Sequence, residues 1–257
     1  LEVFLSLLFG IFLAVAVPIY TYFILRRKLS VENAGAIAAS YGSVSAVTFI
    51  TAINFLEIEQ MAFGGHMVAV MALMEAPSII VGVSLISIFS TEKKTKLPMS
   101  SVIKHSVLNG SVVLILGSLV IGFIANEKQA AGIAPFTTDI FKGFLAIFLL
   151  DMGIASGKKL QAFFKNGWFT VFFAIIIPLI NGVLVAYLSR LVTANESNQF
   201  LFSILGASAS YIAVPAAMRL VVPKANPSLY IPMALAVTFP VNITIGMPLY
   251  LYVIQNF

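Results

Sequence analysis

Between Leu1 and Leu25 the chain carries one charged residue, Glu2. Seven further apolar runs of similar length follow, near 34–56, 66–89, 106–125, 140–157, 168–190, 199–221 and 229–255. A helix needs about 20 mostly apolar residues to cross the hydrocarbon core of a bilayer. Only elements that satisfy their own backbone N–H and C=O groups persist there. Eight such runs predict an all-α integral membrane protein. Composition agrees, with 60% of 257 residues hydrophobic and 10% charged, against roughly a quarter charged in a soluble domain.

Charge placement gives an orientation. A net charge of +5 could signal nucleic acid, but the bases lie in short loops between apolar runs. One set of loops holds Arg26, Arg27 and Lys28, then Lys93, Lys94, Lys96 and Lys104, then Lys158, Lys159 and Lys165, then Lys224 just after Arg219. The alternate loops, 57–65, 126–139 and 191–198, hold Glu57, Glu59, Glu127, Asp139 and Glu196, with Lys128 the one base among them. Strict alternation supports eight spans, and the positive-inside rule makes the basic loops cytoplasmic and both chain ends external. The expected location is the plasma (inner) membrane, with no nucleic acid partner. The chain has no Cys, which removes thiol nucleophiles and thiolate metal sites. His66 and His105 lie at span ends and do not cluster. An enzyme would need clustered nucleophiles, His or metal ligands at depth, so neither an enzyme nor a cofactor is expected.

The sequence repeats itself. Ser43-Val44-Ser45 returns as Ser208-Ala209-Ser210, and Met71, Pro77 and Gly82 of "MALMEAPSIIVG" return as Met233, Pro240 and Gly246 of "MALAVTFPVNITIG". The offsets are 165, 162, 163 and 164. Landmarks in one order at nearly constant offset predict two copies of one unit. The second copy, 106–257, has five spans, while the first, 1–105, has three. The expected architecture is two inverted five-helix repeats in a ten-helix protein, of which eight helices are present here. An odd number of spans per copy forces the copies into opposite orientations. Inverted repeats are common in secondary transporters, with the substrate site at midplane between them.

The repeated phrase puts small hydroxyl residues where hydroxyls are least welcome. Such residues allow close helix packing, or they mark a helix broken at midplane whose freed backbone faces a cavity. Recurrence at matching places favours broken helices. A broken helix offers N–H groups to an anion and carbonyl oxygens to a small cation. The candidates are Gly42, Ser43, Ser45 and Thr48 in the first copy, and Ser208, Ser210 and Tyr211 in the second, with Pro215 helping to interrupt the helix. Glu75 lies about ten residues into its span, beside Pro77. An acid at that depth is a functional candidate by default, here as a Na⁺ or H⁺ ligand. The matching region of the second copy has Val237, Thr238 and Asn242 and no acid. Asp151 is the other membrane acid, balanced between a functional role and pairing with Lys158 or Lys159.

The phrases "AASYGSVSAVTF" and "GASASYIAVPAAMR", followed by "KANPSLYIPMALAVTFPVNITIGMPLYLYV" and matched upstream by "MALMEAPSIIVG", resemble the sodium-dependent bicarbonate transporter family over essentially the whole chain. The resemblance implies crossing discontinuous helices, inward co-transport of Na⁺ and bicarbonate, and a homotrimer. It places the anion on Gly42, Ser43, Ser45, Ser208 and Ser210. The cation falls near Glu75, with Thr48, Tyr211 and Asn242 as companions and Asp151 as a further candidate. Na⁺ is the one metal expected. A PII-like cytoplasmic regulator inhibits cyanobacterial members, whose loop between repeats is much longer than the one here. Those members also have an Asp where this chain has Tyr211. The expected function is a Na⁺-coupled symporter of a small anion, most simply bicarbonate. The alternatives in the same architecture are a Na⁺/H⁺ antiporter and a Na⁺-coupled organic-anion symporter.

Overall fold

The computed structural model describes residues 1–90, 110–164 and 167–257. The basic stretch Lys93–Lys104, His105, the start of the fourth apolar run and Lys165 lie outside the described residues. Every regular element among the described residues is helical.

The chain opens with α1 (Glu2–Leu25), α2 (Val31–Gly42), α3 (Ala46–Ile58) and α4 (His66–Phe89). At 1.5 Å per residue, the 24 residues of α1 and of α4 each reach roughly 36 Å, more than a hydrocarbon core of about 30 Å. Ser30 starts α2 by accepting a hydrogen bond from the Asn33 amide, the usual device for an orphan N–H in the first turn. Downstream come α5 (Gly110–Ile124), α6 (Glu127–Ala134), α7 (Phe141–Phe164), α8 (Trp168–Ser189), α9 (Glu196–Ala207) and α10 (Ala213–Val221). The last span, Pro227–Asn256, consists of α11 (Pro227–Pro232), α12 (Phe239–Val241) and α13 (Met247–Asn256), joined by π-helical turns at Met233–Thr238 and Asn242–Gly246. Pro240 has no N–H to give to an i→i−4 ladder, and wider turns on either side absorb the irregularity.

Among the described residues, six stretches are long and apolar enough to cross a membrane: Glu2–Leu25, Val31–Ile58, His66–Phe89, Glu127–Ile154, Trp168–Ser189 and Pro227–Asn256. The pair α9–α10 is too short in each half, with 12 and 9 residues, because the chain breaks between them. One expectation changes. The segment 126–139 reads as a loop by hydropathy, yet it is helical from Glu127 onward. The Asn126 side chain accepts from the Gln129 amide, and the Gln129 side chain accepts from the Asn126 amide. This reciprocal capping starts a helix despite Glu127 and Lys128, and a π-helical turn at Pro135–Ile140 carries it into α7.

Two groups of helices pack closely: α1, α2 and α4 in one, and α8, α9 and the last span in the other. Helices α5 and α7 lie at the periphery, α5 against α4 and α7 against α11 and the turn that follows it. The buried core divides at the helix breaks. One cluster, with Tyr22, Leu25, Met218 and Leu229, fills the end near the basic loops. The other, with Leu13, Phe49, Leu56, Met67 and Phe200, fills the opposite end. Among the described residues several helices keep exposed apolar stripes. Phe4, Leu8, Phe12, Ile19 and Phe23 lie along α1, and Phe172, Ile176, Ile180, Leu184 and Tyr187 along α8. Spacings of three, four and seven residues place each set on one helix face. In water such stripes would drive aggregation, whereas in lipid they face a solvent of their own kind.

Candidate functional site

The helix interruptions sit at the two repeated phrases. Helix α2 stops at Gly42, Ser43 is extended at φ −88°, ψ 176°, and α3 restarts after Ser45 at φ −103°, ψ 110°. Helix α9 stops at Ala207, Ser208 is extended at φ −78°, ψ 166°, and α10 begins at Ala213. Extended backbone at membrane depth would orphan its polar groups, each at several kcal/mol. The two breaks resolve this by crossing. The Ser210 amide donates to the Ser40 carbonyl at 2.8 Å, and the Ser45 amide donates to Ser208 Oγ at 3.3 Å.

Side chains finish the ends. Ser45 Oγ accepts from the Thr48 amide at 3.2 Å and Ser210 Oγ accepts from the Val214 amide at 3.3 Å. The N-termini of α3 and α10, with their partial positive charge, therefore converge on the crossing. At the opposing C-termini, Ser78 Oγ donates to the Ala39 carbonyl at 2.7 Å, and Asn242 Nδ2 donates to the Ala207 carbonyl at 2.8 Å. The Tyr250 hydroxyl holds Asn242 by its Oδ1 at 2.9 Å. Gly42 makes the approach of α1 feasible, since a Cβ there would lie 2.1 Å from Pro18 Cγ and 2.6 Å from Ser78 Oγ.

Between the breaks lies a cavity of about 80 Å³. Its lining includes Ser45, Glu75, Ser210 and Tyr211, with Ile115 of α5 closing one side. Glu75 is 4% exposed, and its Oε2 has no hydrogen-bond partner. The Ser40 and Ser43 hydroxyls are likewise buried without partners. The Tyr211 hydroxyl faces Ser45, and its ring packs edge-on against Phe239.

The structure brings Ser45, Ser210, Tyr211 and Glu75 to one cavity, with Ser208 joined to it through the Ser45 amide and Gly42 and Ser43 just before it in the first break. Thr48 is buried in the first turn of α3 and touches the site through its amide. Asn242 does not line the cavity, and both ends of its side chain are engaged in holding the break of α9 in place. Asp151 lies elsewhere, exposed on α7 beside a separate cavity. The sequence reading set Thr238 in the region matching Glu75 but missed its bonded partners. Thr238 Oγ1 donates to the Ala174 carbonyl at 2.7 Å and receives the Tyr41 hydroxyl at 2.7 Å. Thr238 stands 163 residues after Glu75, the offset of the two prolines, so the repeat spacing itself was the available signal. At this place the second half has a fully partnered hydroxyl, and the first half has an acid with a free oxygen.

An all-helical multi-pass protein, with two interrupted helices crossed beside a buried acid, has the build of a membrane transporter. The chain belongs to the Na⁺-dependent bicarbonate transporter superfamily, whose family model matches residues 1–255. No curated protein matches it.

Proposed function

We propose that this protein is a Na⁺-coupled symporter of a small anion, with bicarbonate as the substrate. The carrying observation is the unpartnered Glu75 oxygen facing a cavity on which the N-termini of α3 and α10 converge. A carboxylate surrounded by apolar helix needs a cation, and convergent helix N-termini attract an anion. Opposite charges held side by side neutralise each other, which couples the two loads. Glu75 with the Ser45 and Thr48 region takes Na⁺, while Ser43, Ser208 and Ser210 beside the two helix N-termini take the anion. A cavity of about 80 Å³ suits an ion of a few heavy atoms and disfavours a bulky organic anion. Family membership supports Na⁺ and bicarbonate as the pair.

The same reading treats the chain as two inverted copies. The match between the α1–α2–α4 and α8–α9–last-span groups supports this, as does the pairing of Glu75 with Thr238. The loops with Arg26, Arg27 and Lys28 and with Lys158 then face the cytoplasm, in the plasma (inner) membrane. The homotrimer remains an expectation from the family resemblance. The loop that a PII-like regulator would meet lies outside the described residues. The test is radiolabelled bicarbonate uptake into liposomes containing the purified protein. Uptake should require an inward Na⁺ gradient, and equal uptake under a K⁺ gradient would end the proposal.

A further inference from the structure

Tyr211 carries a hydroxyl that the crossing leaves free. It lies in the second break, between the end of α9 at Ala207 and the start of α10 at Ala213. The residue before it is held by the bond from the Ser210 amide to the Ser40 carbonyl. Its ring meets Phe239 edge-on, with centroids 5.8 Å apart. Backbone and ring are thus both anchored, and the side chain is 7% exposed. Among the described residues that line the cavity of about 80 Å³, Ser45, Glu75, Ser210 and Tyr211 have polar side chains. The Ser45 and Ser210 oxygens accept from the Thr48 and Val214 amides. Glu75 Oε2 and the Tyr211 hydroxyl are left without partners.

A buried O–H with no acceptor is unfavourable until something supplies one. A phenol, with an ordinary pKa of about 10, stays neutral at physiological pH. Its O–H is more acidic than that of a serine, which makes it a better donor to an anion and a poorer ligand for a cation. The position points the same way. Tyr211 stands two residues before the first turn of α10, where the partial positive charge of the helix N-terminus attracts an anion and repels a cation. The cavity's cation ligand is Glu75, which carries the charge that a phenol lacks. We propose that Tyr211 is a specificity-determining residue for the anion, its hydroxyl donating to an oxygen of a small oxyanion bound at the N-terminus of α10. This moves Tyr211 from the cation, where the family resemblance puts it, to the anion, and it rests on the symport reading above.

Tyr211→Phe removes the O–H and keeps the ring against Phe239. Binding is read first without transport, as the shift in melting midpoint when bicarbonate is added to detergent-purified protein already saturated with Na⁺. A hydrogen bond to an ion is worth roughly ten- to a hundredfold in affinity. Tyr211→Phe should therefore need at least tenfold more bicarbonate for the same shift, while the shift produced by Na⁺ alone stays as in the parent. Uptake into liposomes should divide likewise, with half-maximal bicarbonate raised and half-maximal Na⁺ at saturating bicarbonate unchanged. If size-exclusion shows that Tyr211→Phe does not fold, Tyr211→Gln and Tyr211→Leu replace it. These are similar in size, with and without an N–H donor, and the Gln variant should bind bicarbonate the more tightly. Parental bicarbonate affinity in folded Tyr211→Phe, or equal affinities in the Gln and Leu pair, overturns the proposal. So does a raised Na⁺ requirement with bicarbonate affinity untouched, which makes Tyr211 a cation ligand. Parental affinity together with Na⁺-driven uptake in Tyr211→Phe would leave the symport reading standing. Tyr211-dependent bicarbonate binding in a parent that needs no Na⁺ for uptake would end that reading and leave the role of the hydroxyl intact.

Discussion

Replacing Glu75 with Gln keeps the side-chain shape and removes the charge. Glu75 is 4% exposed, and its Oε2 has no partner. An ionised carboxylate at the centre of a span is unfavourable by about 2.5–3.5 kcal/mol on insertion scales, and a neutral amide is cheaper. The Na⁺-free variant should therefore be at least as stable as the parent. The difference lies in the response to Na⁺. A ligand that binds only the folded state adds RT ln(1 + [L]/Kd), about 2.7 kcal/mol at one hundred times Kd. For a chain near this size each kcal/mol moves the melting midpoint by about 2–4 °C. The parent should therefore gain roughly 5–11 °C when Na⁺ replaces choline at saturating concentration. Glu75→Gln should lose most of that gain, and Na⁺-driven bicarbonate uptake should fall at least tenfold. Thermal scans by intrinsic fluorescence of Trp168 and the tyrosines, at fixed ionic strength, measure the shift. A full Na⁺ shift in a folded Glu75→Gln variant would refute the argument and leave Glu75 as a packing residue.

Gly42→Ala forces a methyl to within 2.1 Å of the rigid Pro18 ring. It should cost about 1–3 kcal/mol through overpacking, visible as a lower melting midpoint, and should depress uptake by displacing the first break. Ser208→Ala leaves the Ser45 amide without its acceptor, at about 1–3 kcal/mol for a buried orphan donor. It and Ser43→Ala should raise the bicarbonate concentration for half-maximal uptake more than the Na⁺ concentration, which a two-substrate titration resolves. Tyr41→Phe removes the bond to Thr238 but not the Thr238 bond to Ala174. A loss of about 0.5–1.5 kcal/mol with unchanged Na⁺ dependence should show in melting and uptake. In spheroplasts, a single Cys at Arg27 should react with an impermeant thiol reagent only after permeabilisation, and one at Glu59 before it.

Much of this protein is legible as a string of letters. Span-length apolar runs dictate transmembrane helices, because a bilayer leaves the backbone no other way to satisfy its polar groups. Ser43-Val44-Ser45 and Ser208-Ala209-Ser210 mark the helix breaks, since their recurrence at matching places favours interrupted helices over close packing alone. Glu75 is conspicuous for the same reason. The helix start at Glu127 was also readable, from Asn126 and Gln129, but hydropathy averages over caps and missed it.

Other features exist only in three dimensions. No local rule says that the Ser210 amide meets the Ser40 carbonyl or that Ser45 reaches Ser208. Those bonds join segments more than 160 residues apart, and they decide whether two breaks form one site or two defects. The tertiary structure gives Asn242 a supporting part by engaging both ends of its amide, and it leaves the Glu75 oxygen free. It also leaves Asp151 exposed on α7, apart from the crossing. The sequence determines what the membrane demands of each segment taken alone. Which polar groups satisfy one another, and which acid is left facing a cavity, depends on distances between helices that only packing sets.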